Sequence, residues 1–251
     1  MEFIYNVYRL FLYFAFFVGS VILTPVVLVI SLVFGKRVAN VYPHLYAKLL
    51  CLLIPIRVAL EGAENIDNKK SYVVVLNHRS YMDIVVIYAA LGMDIRWVMK
   101  KELTRIPFFG QSSVILGNIP IDRRNTRKAM ESINRARKLI RKGTSVAFFP
   151  EGTRVNDTVL GRFKKGAFHF ALDVGLPVLP VAIIGTDRIM PRGTYKFWPG
   201  RVKIIVHPPL DTARFSKKHI NQFSDQVQAI LYDTLTKEGG HTTENEECEG
   251  K

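Results

Sequence analysis

An uncharged stretch near the amino terminus constrains this chain more than any other feature. No charged residue occurs between Arg9 and Lys36, and residues 10–35 read LFLYFAFFVGSVILTPVVLVISLVFG. As one straight helix, these roughly 26 residues would extend about 39 Å, which exceeds a hydrocarbon core of about 30 Å. A secretory signal has a shorter apolar core and a small-residue cleavage site, which the continuation after Lys36 lacks. We therefore expect the segment to remain in the membrane.

Residues 1–60 are predicted to form a membrane anchor made of two helices. Pro25 can kink the first helix, so that it either spans the bilayer or dips in and returns. The second falls within residues 38–60, where apolar side chains recur at helical spacing, but Lys48 and Arg57 disfavour a full crossing. It is predicted to lie at the membrane interface, and a core helix of the soluble domain is the alternative.

The composition favours a polyanionic partner. Lys and Arg number 35 against 21 Asp and Glu, which gives a formal net charge of +14, and the mean hydropathy is +0.13. Basic and aromatic residues are not interleaved along any one stretch, which disfavours nucleic acid. We therefore predict a lipid bilayer as partner. Lys36 and Arg37 place the following domain on the cytoplasmic face of the membrane, the inner membrane in a bacterium.

The carboxyl-terminal residues 237–251 have the opposite character. They contain mainly Glu and other polar residues, so an acidic, disordered tail is predicted there. The chain has two cysteines, Cys51 in an apolar run and Cys248 in this tail. Their spacing supports neither a disulfide framework nor a zinc site, so both are predicted to be free thiols.

Residues 61–236 are predicted to form the catalytic domain, because β-branched runs alternate there with amphipathic helical patterns. Such alternation predicts an α/β domain with a mostly parallel sheet flanked by helices. An apolar stripe predicts a helix over residues 126–142, closed by Gly143. The runs interpreted as strands are 71–76, 96–99, 144–149, 178–184 and 202–206.

The first candidate site follows the strand at 71–76. His78 comes directly after this strand and a helix begins near Ser80, a position where open α/β sheets place ligands. Asp83 can accept a hydrogen bond from one imidazole nitrogen of His78 and leave the other as a base towards a hydroxyl. The alternative is a helix-capping Asp83 beside an incidental surface histidine, and the spacing alone does not decide between them.

A second cluster of charge follows the strand at 144–149. Glu151 and Arg154 lie in the turn, and Gly152 removes side-chain bulk so that the backbone can approach a ligand. Arginine binds phosphate bidentately, and three more cations occur within residues 162–165. The alternative is a turn stabilised only by a Glu–Arg ion pair.

Cations also follow two other predicted strands. Arg123 comes after the short apolar run 119–121, and Lys100 comes after the strand at 96–99. Arg123 is a candidate phosphate ligand, whereas Arg124 is interpreted as part of the solvated face of the next helix. Positive charge at three strand ends favours a single pocket for an anion.

Several other chemistries are disfavoured. The turn at 110–114 lacks the G-x-S-x-G pattern of serine hydrolases, and neither a P-loop nor G-x-G-x-x-G occurs. The remaining histidines are scattered without the spacing of metal ligands, so no metal site is predicted.

Taken in order, these motifs resemble the four motif blocks of the glycerolipid acyltransferases. The branch of the family that they resemble most is the 1-acyl-sn-glycerol-3-phosphate acyltransferases, and the resemblance spans about residues 38–209. The motifs are Asn77-His78-x-x-x-x-Asp83, residues 117–123, Phe149-Pro-Glu-Gly-Thr-Arg154 and residues 176–183.

The resemblance implies transfer of a fatty acyl group from acyl-CoA or acyl-acyl carrier protein to the sn-2 hydroxyl of lysophosphatidic acid, forming phosphatidic acid in phospholipid biosynthesis. It implies His78 as general base and Asp83 as the residue that orients it, without an acyl-enzyme, a metal or a cofactor. The residues implied to bind the substrate are Lys100, Arg123, Glu151, Gly152, Thr153 and Arg154.

Two alternatives stay open at this point. One is acylation of another lysolipid, such as a lyso-ornithine lipid, because the sequence does not determine the head group. The other is a non-catalytic membrane anchor that presents its basic surface to acidic partners.

Overall fold

The computed structural model describes residues 2–137, 140, 143–154 and 160–238. Its helices are α1 Glu2–Phe34, α2 Lys36–Ala39, α3 Val41–Leu53, α4 Met82–Ala90, α5 Phe109–Ile115, α6 Thr126–Ala136, α7 Gly166–Val174, α8 Thr186–Ile189 and α9 Ile220–Glu238. Its strands are β1 Ile56–Glu61, β2 Val73–Leu76, β3 Asp94–Lys100, β4 Ile119–Ile121, β5 Thr144–Phe148, β6 Val178–Ile184 and β7 Gly200–Val206.

The described strands form a seven-stranded sheet in the order β1-β7-β6-β2-β5-β3-β4. Strands β6 and β7 are antiparallel, and every other neighbouring pair is parallel. The predicted α/β fold with a mostly parallel sheet is thus confirmed. The four strands β2, β5, β3 and β4 are consecutive neighbours, so their carboxyl ends meet along one edge of the sheet.

Apolar side chains cover both faces of the sheet, as the period-2 alternation of strand residues requires. Val74 and Leu76 of β2 belong to one core cluster, which includes side chains of α3 and α4. Val73 and Val75 point to the opposite face and belong to a second cluster, formed with α7 and α9. Because β2 is buried on both faces, the residue that follows it has a firmly held backbone.

The amino-terminal region differs from the prediction in two ways. Within the described ranges, no helix combines the length and the hydropathy that crossing a bilayer requires. The second predicted helix extended to residue 60, but α3 ends at Leu53 and residues 56–61 form strand β1. This part of the prediction is wrong because β1 pairs in parallel with β7, a partner more than a hundred residues away.

Two other predictions reach beyond the described residues. The helix predicted over 126–142 is observed as α6, which ends at Ala136, and residues 138, 139, 141 and 142 are outside the described ranges. Of the predicted acidic tail, Lys237 and Glu238 belong to α9, and residues 239–251, including Cys248, are outside those ranges. Cys51 is a buried free thiol.

Candidate active site

The predicted site residues follow the carboxyl ends of four adjacent strands. His78 follows β2, Glu151 follows β5, Lys100 ends β3 and Arg123 follows β4. Because these strands are parallel and consecutive in the sheet, residues far apart in the sequence are delivered to one edge.

The imidazole of His78 is hydrogen-bonded to the carboxylate of Asp83. His78 Nδ1 lies 2.7 Å from Asp83 Oδ2, and the Asp83 side chain is completely buried. Since the carboxylate accepts, Nδ1 carries the proton of this bond, and Nε2 is the ring nitrogen left to take a proton from a substrate. The His78 side chain is 14% exposed to solvent, so a substrate hydroxyl can reach it.

Asp83 also holds the turn that precedes helix α4. Its Oδ2 accepts hydrogen bonds from the backbone N–H groups of Arg79 and Ser80, at 2.8 and 3.0 Å. Its Oδ1 accepts a hydrogen bond from the hydroxyl of Thr186, which follows β6. Asp83 therefore binds the backbone of this turn, as the alternative interpretation held, but its hydrogen bond to the imidazole means that His78 is not an incidental surface histidine. A carboxylate with this many donors is held in a single orientation.

Aromatic rings support the other face of the histidine. The ring of Phe149 is stacked on His78 with centroids 3.9 Å apart, and Trp97 is stacked on Phe149 at 5.2 Å. Trp97 is also part of the wall of an apolar cavity of about 210 Å³, together with Met99, Phe109 and other side chains of α3, α4 and α5. The imidazole thus lies between solvent and an apolar interior.

Glu151 faces inward instead of towards solvent. Its Oε1 accepts a hydrogen bond from the backbone N–H of His78 at 2.8 Å, and its Oε2 accepts one from Gly161 at 3.1 Å. The residue is 7% exposed, and this burial raises the pKa of the carboxyl group to about 7, although the two backbone N–H donors oppose the shift. Glu151 therefore joins the two turns that follow β2 and β5.

Arg123 contacts the turn that contains Gly152. Its guanidinium donates a hydrogen bond to the carbonyl oxygen of Gly152. Burial lowers the pKa of Arg123, and the nearby Glu102 carboxylate opposes that effect. Lys100 lies at the end of β3, with its ammonium 4.0 Å from the same Glu102. Lys100 and Arg123 thus share an acidic neighbour beside the turn.

Arg154 lies over the ring of Tyr81, and its guanidinium carbon is 3.5 Å from the ring centroid. Tyr81 immediately precedes α4, so this contact connects the turn after β5 to the helix that carries Asp83. The buried Nη1 of Arg154 has no hydrogen-bond partner among the described residues. Thr153 is exposed in the same turn.

Sequence reasoning missed two contributors to this arrangement. Thr186 was not singled out, although it follows the strand next to β2 and could have been sought there. Tyr81 was not identified because an aromatic residue at the start of a helix does not by itself indicate a functional role. Both contacts join residues that are far apart in the sequence, and spacing within one motif does not reveal them.

The sequence model of the acyltransferase family matches residues 57–184, just over half of the chain. The chain belongs to the acyltransferase family. The matched region contains every predicted site residue, from His78 to Arg154, and ends with strand β6.

Individual proteins extend this similarity. A chloroplastic 1-acyl-sn-glycerol-3-phosphate acyltransferase of Brassica napus is 33% identical over 74% of this chain. A chloroplastic enzyme of the same name from Arabidopsis thaliana is 37% identical over 61%. The chain spans 58% and 44% of these two proteins, about half the length of the curated relatives. The crystal structure of the 1-acyl-sn-glycerophosphate acyltransferase of Thermotoga maritima superposes with a TM-score of 0.81 at 28% identity, covering 94% of this chain and 96% of that one.

Proposed function

We propose that this protein transfers a fatty acyl group from an acyl thioester to the sn-2 hydroxyl of 1-acyl-sn-glycerol 3-phosphate, which yields phosphatidic acid for phospholipid biosynthesis. The observation that carries the proposal is the hydrogen bond from His78 Nδ1 to the buried Asp83. The names of the relatives, which are acyltransferases for this acceptor, support the same reaction.

In the proposed mechanism, His78 Nε2 removes the proton of the sn-2 hydroxyl as its oxygen attacks the thioester carbonyl. The tetrahedral intermediate then expels the thiolate, which takes the proton from the imidazolium, so the base is regenerated without an acyl-enzyme. Asp83 stabilises the imidazolium and holds the ring in place. A positioned general base contributes roughly 10²–10⁴-fold to such a step.

The acceptor phosphate is proposed to bind at the turn after β5. Arg154 offers a buried guanidinium nitrogen there, and Arg123 is fixed on the Gly152 carbonyl beside it. Gly152 has a backbone φ of 76°, which only glycine adopts readily, so this turn requires a residue without a side chain. A guanidinium matches the geometry of a phosphate, which favours this head group over a neutral one.

The acyl chain is proposed to enter the apolar cavity behind Trp97. A cavity lined by Met99, Leu103 and Phe109 suits a hydrocarbon chain, because burial of each CH₂ group is favourable by about 0.8 kcal/mol. Trp97, in the wall of this cavity, is connected to His78 through the stacked ring of Phe149, which supports a path from the cavity to the base. The donor is proposed to be acyl-CoA or acyl-acyl carrier protein, with no metal or further cofactor.

The membrane is proposed as the surface on which the enzyme meets its acceptor. Leu10 and Leu32 of α1 and Leu52 of α3 are 69%, 77% and 75% exposed, a surface that an apolar phase would cover. Arg9 ties α1 to the catalytic domain, with its guanidinium 4.8 Å from the ring of Trp198. The catalytic domain is proposed to lie on the cytoplasmic side, where the proposed soluble donors are found, and protease accessibility in sealed vesicles would test this.

The experiment that tests the proposed reaction is direct. Purified protein is incubated with 1-acylglycerol 3-phosphate and either acyl-CoA or acyl-acyl carrier protein, and the lipid product is identified by mass. Phosphatidic acid is expected with at least one donor. A competition between this acceptor and a lyso-ornithine lipid then measures head-group preference. If neither donor is consumed while the protein binds anionic vesicles, the reaction is wrong and the non-catalytic anchor is favoured.

A further inference from the structure

The turn after β5 is contacted by a cation that none of the four motifs contains. A methyl group placed on Gly152 would lie 2.8 Å from Lys164 Nζ, 2.9 Å from Cε and 3.2 Å from Cδ. The Lys164 side chain therefore lies over the bare α-carbon of this glycine. Arg123 contacts the carbonyl oxygen of the same residue, so two cations touch Gly152 at different atoms.

The backbone that carries Lys164 is held against this turn. Lys164 N–H donates to the carbonyl oxygen of Pro150 at 2.9 Å, and Gly161 N–H donates to Glu151. Phe163, which lies between Gly161 and Lys164 in the sequence, is buried, and its N–H donates to the side chain of Gln228 of α9 at 3.2 Å. Three successive anchors fix this segment, so the Lys164 side chain starts from a defined position instead of from a free loop.

The charge of Lys164 is not neutralised locally within the described ranges. No carboxylate of those residues forms an ion pair with its ammonium. Glu151, the acid nearest in sequence to Gly152, directs both of its oxygens to backbone N–H groups. Cations gathered beside one turn repel each other unless an anion binds between them.

We infer that Lys164 is a further binding residue for the acceptor phosphate and that it selects phosphate-bearing lysolipids over neutral ones. This inference rests on the proposed function. The ammonium of Lys164 supplies a point charge on the side of the turn where Gly152 lacks a side chain. Arg154, two residues after Gly152, supplies a planar guanidinium. A phosphate held by both would be in contact with cations from two segments, 149–154 and 160–165.

The test is the steady-state kinetics of Lys164→Gln, which removes the charge and keeps most of the stem. We expect the KM for 1-acylglycerol 3-phosphate to rise about fivefold to tenfold, because a charge-assisted contact to a charged ligand is lost. The kcat should stay within about twofold of wild type, since the phosphate charge is present in both ground and transition states. Lys164→Arg should retain most of the affinity.

Lys165→Gln is the matched control, because Lys165 is exposed, as Lys164 is, and no described contact joins its side chain to Gly152. Its KM should equal that of wild type. Equal KM increases in both variants would mean general surface attraction, and an unchanged KM in Lys164→Gln would overturn the inference.

Direct binding of glycerol 3-phosphate, measured by calorimetry, separates this inference from the proposed reaction. If wild type binds glycerol 3-phosphate more tightly than Lys164→Gln does, the binding role of Lys164 is supported even if no phosphatidic acid forms. Equal binding by wild type and Lys164→Gln contradicts the binding role even if the reaction proceeds. Matching circular dichroism spectra of the variants establish that each is folded.

Discussion

The two halves of the candidate site are built in opposite ways. In the half around His78, the buried Asp83 carboxylate is surrounded by donors from the imidazole, two backbone N–H groups and Thr186. In the half around Gly152, Arg154 keeps a buried nitrogen without a hydrogen-bond partner among the described residues. Lys164, which lies over the same glycine, has no ion pair with any described carboxylate.

This difference teaches how one site combines two tasks. A proton-transfer group must be oriented before the substrate arrives, so the protein itself supplies the hydrogen-bond donors around the carboxylate that orients it. A binding site for an anion must leave donors for the ligand, so its cations cannot be neutralised in advance. The variants below test whether the His78 half determines turnover and the Gly152 half determines affinity.

The largest effect is expected for His78→Ala. Removing the base that is hydrogen-bonded to Asp83 should lower kcat by at least about 10²-fold with little change in folding. The measurement is kcat at saturating acceptor, with circular dichroism to establish the fold. His219→Ala, at an exposed histidine, is the control and should be as active as wild type. Normal turnover of His78→Ala would refute the proposed mechanism.

Arg154→Ala should have the next largest effect, but on affinity. Loss of its charged contact is expected to raise the acceptor KM by about tenfold or more with a smaller effect on kcat, since the charge it binds does not change during the reaction. Arg124→Ala, at an exposed arginine near the same strand ends, should leave KM unchanged. A fall in kcat at constant KM would place Arg154 in the His78 half instead.

Glu151→Gln tests the residue that joins the two halves. An amide can accept from one of the two backbone N–H groups but presents a donor to the other, so the position of His78 should loosen. We expect kcat to fall by roughly twofold to tenfold, with acceptor KM nearly unchanged. Glu131→Gln, on the exposed face of α6, is the control. A rise in acceptor KM alone would instead support the substrate-binding role that the family resemblance implies.

The stability of wild type relative to Glu151→Gln should depend on pH in a defined direction. Burial raises the folded-state pKa of Glu151 from 4.5 to about 7, so between these values the folded protein binds more protons than the unfolded chain. The contribution of Glu151 to the free energy of unfolding therefore falls as pH rises through this window. Denaturant unfolding should show the stability of wild type relative to Glu151→Gln decreasing from pH 4.5 to 7 and then levelling off. A constant difference would contradict the raised pKa.

The parts of this architecture that sequence could predict are those with local causes. The strand Val178–Ile184 and the turn from His78 to Asp83 follow from apolar runs and capping patterns within a few residues. Strand β1 was mistaken for helix because its short apolar run fits the periodicity of a helix as well as that of a strand. Only its pairing with β7 distinguishes the two. The inward direction of Glu151 could not be predicted either, since its partner Gly161 and the backbone of His78 come together only in the fold.

The smallest effect is expected for Tyr81→Ala. Tyr81 is 47% exposed, and its ring is the platform on which Arg154 lies, next to the helix that carries Asp83. Loss of a partly exposed cation–π contact of about 0.5–1 kcal/mol should raise the acceptor KM by only about twofold to fivefold. Tyr81→Phe keeps the ring and should match wild type. If Tyr81→Ala instead lowers kcat at unchanged KM, the ring acts on the histidine side, and the division between a turnover half and an affinity half does not hold at their boundary.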